Sequence, residues 1–82
     1  MVENGSVNKS IEIRTIDNCE TCHTAIKELQ PLAKQNNIPL FVRQAHDTDT
    51  LVPVICFIED GKKTCFEGYS EDTKKICEMF IK

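Results

Sequence analysis

The segment Thr15-Ile16-Asp17-Asn18-Cys19-Glu20-Thr21-Cys22-His23-Thr24-Ala25-Ile26 decides how this chain is read. Before it, residues 10–16 (S-I-E-I-R-T-I) alternate, with Ile11, Ile13 and Ile16 apolar, which is the period of a strand. Asp17-Asn18 breaks that alternation. From Cys19 onward the period changes. Cys22, Ile26, Leu29 and Ala33 recur at helical spacing, and Ala25 and Leu32 flank the same stripe. The junction therefore reads strand, short turn, helix, with Cys19-x-x-Cys22 opening the helix. Pro31 lies inside it and predicts a kink, because proline removes a backbone donor and crowds the preceding turn. Asn36-Asn37 ends the helix.

That position gives the two cysteines chemistry. A thiol at a helix N-terminus faces unpaired N–H groups and the positive end of the helix dipole. Both favour the thiolate, which is the nucleophile in disulfide exchange. Cys22, one turn further in, is placed to attack a mixed disulfide formed on Cys19. The spacing thus assigns attack to Cys19 and resolution to Cys22, with the resulting disulfide reset by a reductant. Asp17 and Glu20 flank Cys19, and no Lys or Arg is close in sequence. Negative neighbours disfavour the thiolate and so favour the disulfide form. A reducing protein is expected, with a potential nearer about −270 mV than the −120 mV or so of a strong oxidant.

The same residues, with His23, also spell C-x-x-C-H, the attachment motif of a c-type haem, for which Met79 is the distant axial ligand on offer. The strands of the second half fit poorly with an all-helical cytochrome, and no export signal is visible. His23 reads instead as an exposed helix residue. A structural zinc needs a second pair of ligands beside the dithiol. Cys56 and Cys65 supply one only if they face it, and His46 reads as a solvated loop residue. Neither a metal nor a cofactor is expected.

Working outward, residues 38–43 (I-P-L-F-V-R) form a second strand, and Pro39 near its start suggests a sheet edge. Residues 44–50 (Q-A-H-D-T-D-T) read as loop. Residues 53–58 (P-V-I-C-F-I) are almost continuously apolar, as in a strand buried on both faces. Asp60-Gly61 is a two-residue hairpin turn, and residues 63–68 (K-T-C-F-E-G) return. Ser70 can cap a last helix with Glu71 and Asp72 in its first turn, and Ile76, Cys77 and Phe80 facing the core. The order is β-α-β then β-β-α: an α/β chain with one mixed four-stranded sheet. Residues 1–9 read as a loose tail and 10–82 as the domain.

If Asp60 and Gly61 are the turn, Cys56 faces Cys65 in a non-hydrogen-bonded pair, where Cα atoms approach to roughly 4.5 Å. Cys56, Cys65 and Cys77 all sit in apolar patterns and are expected to be buried. In a reducing compartment the facing pair is expected as packed thiols, with a cross-strand disulfide under oxidation.

Composition limits the partners. The chain has 82 residues, net charge −3, five cysteines and no Trp. Ten scattered basic residues offer no phosphate-binding face, so nucleic acid is not expected. No apolar run approaches the ~20 residues of a membrane span, and residues 1–10 carry no apolar signal segment. A cytoplasmic protein is expected, neither binding nucleic acid nor entering a membrane.

Taken together, T-I-D-N-C-E-T-C before a kinked helix, L-V-P before an apolar strand, a D-G hairpin and a G-Y-S turn into a helix resemble the thioredoxin/glutaredoxin superfamily. The likeness covers about Ile11 to the C-terminus. It implies a minimal thioredoxin-like fold and a dithiol oxidoreductase acting on a disulfide-containing client. It also implies a cis bond at Val52-Pro53 beside the dithiol. Val52 and Pro53 would line the client groove, with Gly68, Tyr69 and Ser70 as its far wall. The electron donor would be a reductase or a low-molecular-weight thiol.

The chain departs from glutaredoxins proper. Ile16 stands where they carry Lys, C-E-T-C replaces C-P-Y-C, L-V-P replaces T-V-P, and Glu67-Gly68-Tyr69-Ser70-Glu71 replaces their glycine pair and acidic turn. The missing features are those that hold glutathione, which points away from it as reductant. The stretch before Pro53 is also too short for a helix over the second sheet face, leaving that face open for a partner; a monomer or weak dimer is expected. A redox-inactive binding module of the same fold is the other reading.

Overall fold

The alternation at the start of the chain produces β1 (Lys9–Thr15), whose Ile11 and Ile13 are fully buried while the residues between them face the other way. The computed structural model describes residues 8–47 and 51–81. After β1 the chain turns through Asn18, at φ 62°, into α1 (Glu20–Gln35). Cys22, Ala25, Leu29 and Ala33 form the buried stripe of α1, and Ile26 and Leu32 pack partly buried beside it. The helix continues through Pro31.

Asn36 closes α1, and Asn37 takes a left-handed conformation at φ 57°. The Ile38 N–H returns to the Ala33 carbonyl at 2.8 Å, so the helix end holds residues 38 and 39 before β2 (Leu40–Gln44) begins. The second strand thus starts two residues later than the sequence pattern suggests. β2 lies at the sheet edge, as Pro39 predicts. β3 (Val54–Glu59) and β4 (Lys62–Glu67) follow as a hairpin. Asp60 and Gly61 have φ 53° and 85°, the two positive angles that a tight I′ turn requires. α2 (Glu71–Phe80), capped by Ile81, is the last described element.

The sheet order is β2-β1-β3-β4. β1 and β2 run parallel, joined by α1; β1 with β3 and β3 with β4 are antiparallel. This is the expected α/β arrangement of one mixed four-stranded sheet and two helices. The core is one cluster: Ile11 and Ile13 of β1, Ile55 and Phe57 of β3, the α1 stripe, Ile38 and Cys77 of α2. No described helix is long and apolar enough to cross a membrane.

Three local expectations change. Lys9 belongs to β1 rather than to a tail: it pairs with Glu59, and its Nζ donates to the Phe80 carbonyl at 2.6 Å, anchoring the end of α2. Asn8 precedes β1 and accepts the Asp60 N–H at 3.0 Å, while residues 1–7 of the expected tail lie outside the described residues, as do 48–50 of the expected loop. Ser70 occupies the N-cap of α2, but its side chain makes no capping hydrogen bond; Glu71 and Asp72 supply the favourable first-turn charge instead. Cys65 is exposed rather than buried, because β4 is an edge strand and Cys65 points to the face that carries no helix.

Candidate active site

Both ends of the C-x-x-C segment are placed by the strand-to-helix turn. Cys19 is the N-cap residue of α1, in extended backbone at φ −105°, and is half-buried. Cys22 lies one turn into the helix on its buried stripe, 2% exposed. The two are joined in a disulfide with Cα atoms 5.2 Å apart. The Cys22 N–H donates to Cys19 Sγ at 3.1 Å, so the outer sulfur occupies the cap position that an Asp or Ser side chain fills elsewhere. The His23 N–H donates to the Cys19 carbonyl at 3.1 Å, completing the first turn. Asp17, Glu20 and His23 are all exposed around it.

Sheet register brings Pro53 to the same end of the molecule. Arg14 pairs with Val54, so one step further sets Pro53 level with Thr15, at the start of the turn that carries Cys19. The Val52-Pro53 bond is cis, the isomer that the family resemblance implies. Pro53 is fully buried and Val52 half-buried. The Gly68 N–H donates to the Pro53 carbonyl at 2.7 Å, so the end of β4 is tied to the start of β3. Gly68 has φ 81°, a conformation that glycine adopts without a steric cost. Two exposed apolar side chains, Ile16 (46% exposed) and Leu51 (57%), flank this end of the sheet on the segments leading to Cys19 and Pro53.

The structure does not bring the whole expected groove together. Tyr69 donates its hydroxyl to Glu28 Oε1 at 2.5 Å and packs partly buried against the core. Glu28 lies six residues beyond Cys22, about 9 Å along the helix at a 1.5 Å rise per residue. Tyr69 is therefore held against the flank of α1. Its hydroxyl pKa is raised by burial first, and then by the hydrogen bond and charge of Glu28. Ser70 is exposed at the head of α2.

Cys56 and Cys65 face each other as the hairpin register requires, with Cα atoms 4.0 Å apart. They are joined in a disulfide, the form expected under oxidation. Ile55 and Phe57 point into the helix-covered core, so Cys56 between them points to the opposite face. The pair is thereby turned away from Cys22, and among the described residues no group of three or more His, Cys, Asp or Glu is placed to hold a metal. Met79 is 75% exposed.

A cluster that sequence reading missed surrounds Cys56 on that open face. Glu12, directly opposite Cys56 on β1, is nearly buried. It pairs with Arg14 at 2.9 Å, Lys63 at 3.5 Å and Arg43 at 3.7 Å. Burial raises the Glu12 pKa, but the bonds from Arg14 and Lys63 outweigh it and hold the carboxyl below its ordinary value. The signal was present in β1, where Glu12 and Arg14 occupy the polar alternate positions; Arg43 and Lys63 join them only through strand register.

No protein-family model matches this chain, and neither does any curated protein.

Proposed function

We propose that this chain is a thiol–disulfide oxidoreductase of minimal thioredoxin-like fold, working through Cys19 and Cys22. The observation that carries the reading is the placement of that pair: a half-buried sulfur at the N-cap of α1, accepting a backbone N–H, and a buried partner one turn inside. In the reduced protein the same N–H and the helix N-terminus favour a thiolate on Cys19. That thiolate attacks one sulfur of a client disulfide, and the client's other sulfur leaves as a thiolate. Cys22 then attacks Cys19 Sγ, forming the intramolecular disulfide and releasing the second client thiol. Two electrons pass from the dithiol to the client. A reductase or a low-molecular-weight thiol returns them.

Val52 and Pro53 form the near edge of the client groove, and Gly68 extends it through its bond to the Pro53 carbonyl. Ile16 and Leu51 add apolar surface on either side. Ile16 also stands where a glutathione-binding lysine would be needed, which favours a protein reductase as donor.

The test is insulin disulfide reduction driven by dithiothreitol. The wild-type chain accelerates precipitation of the insulin chains, and Cys19→Ser reduces the rate to that of dithiothreitol alone. A wild-type protein that adds nothing to the dithiothreitol rate overturns this reading in favour of a binding module that does not reduce clients.

A further inference from the structure

We infer that Cys56–Cys65 is a second thiol–disulfide exchange site, entered at Cys65 from the open face of the sheet by a dithiol donor. Four observations carry this. The pair lies on the face that neither helix covers. Its two sulfurs differ: Cys56 is fully buried and Cys65 is exposed on an edge strand, so an incoming thiolate reaches only Cys65. The sulfur that must leave, Cys56, lies beside Glu12 and the cations paired with it, Arg14, Arg43 and Lys63; with Glu67, which shares that face two residues from Cys65, three cations stand against two carboxylates. A leaving thiolate is stabilised by such surroundings. Finally, the link closes a sequence separation of only nine residues, in a hairpin already held by its I′ turn and continuous register. Short loops gain least from a covalent staple.

The step balances as follows. A donor thiolate bonds to Cys65 Sγ, the Cys65–Cys56 bond breaks, and Cys56 leaves as a thiolate and takes up a proton. The donor's second thiolate then attacks its own sulfur in the mixed disulfide. The donor closes to a disulfide, and Cys65 is released as a thiol. Two electrons and two protons move from donor to pair. With Cys19–Cys22, the chain stores four electrons in two separate couples. Opening the pair removes the disulfide cross-link between β3 and β4, the strands whose ends adjoin Pro53 and Gly68 at the first site.

Cys77 supplies an internal control, since it is a free thiol buried in the core. The wild-type protein is treated with dithiothreitol under native conditions and alkylated with a light reagent. It is then unfolded without further reductant, alkylated with a heavy reagent and mapped by mass spectrometry. The expected pattern is light label on Cys65, at least tenfold above that on Cys56, and heavy label on Cys56 and Cys77. Three results overturn the inference: no label on the pair at either stage, light label on Cys77 together with the pair, or preferential light label on Cys56. A Cys19→Ser/Cys22→Ser variant gives the same pattern at the pair, so this outcome is read independently of the proposed client reduction.

Discussion

Cys77 and Tyr69 both hold protons more tightly in the folded chain than out of it. Burial pushes the Cys77 thiol from its ordinary value of 9.0 up to about 11, with the nearby Glu78 charge adding to the effect. Tyr69 is raised by burial and by Glu28. A raised folded-state pKa gives stability that is complete below the unfolded value and lost as pH climbs towards the folded one. The urea midpoint of the oxidised protein is therefore expected to hold steady from pH 7 to 8 and to fall between pH 9 and 11. A midpoint that rises over that range contradicts the assignment. Tyr69→Phe removes the hydroxyl bond to Glu28 and should cost about 1 kcal/mol, since the bond is partly exposed. Insulin reduction by that variant is expected to stay within about twofold of wild type, because Tyr69 is anchored on α1 away from Cys19. Both effects are read from a urea curve and a rate.

Single residues also show where sequence reading stops. Cys22 was placed correctly because helical spacing puts it on the stripe with Leu29 and Ala33. Cys65 was not, because its exposure depends on which strand is at the edge. That is a property of the assembled sheet. Residue type likewise marks Ser70 as the helix start without fixing whether its hydroxyl makes the capping bond, which it does not.

At the scale of elements, the Asp60-Gly61 turn was the most legible feature. Two residues with positive φ fix the hairpin register, and the register alone places Cys56 opposite Cys65. Gly61→Val puts a β-branched residue at φ 85° and should destabilise the oxidised protein by roughly 1–2 kcal/mol, measured by urea unfolding. The Cβ meets nothing there, so the cost is conformational rather than a clash. Core substitution acts differently. Leu29→Ala, in the fully buried α1 stripe, is expected to cost about 2–5 kcal/mol by leaving a cavity between α1 and the sheet. Periodicity, the apolar run of β3 and the turn and cap signals together gave every described element, with ends shifted by a residue or two where backbone bonds such as Ile38 to Ala33 override the pattern.

Across the whole molecule, both helices pack on one sheet face, while the other carries Glu12, its cations and the second disulfide. The apolar alternation of β1 made the covered face readable. The open face was foreseen only from the short connection before Pro53, and its ion cluster depends on contacts between strands far apart in sequence. The dithiol at the head of α1 remains the centre of the account. Its most direct test is a trapping experiment with Cys22→Ser, which removes resolution but keeps attack. Incubated after reduction with a disulfide-containing client such as insulin, this variant is expected to accumulate a mixed disulfide that peptide mapping places on Cys19. A reduced, folded Cys22→Ser protein that yields no adduct on Cys19 contradicts the account.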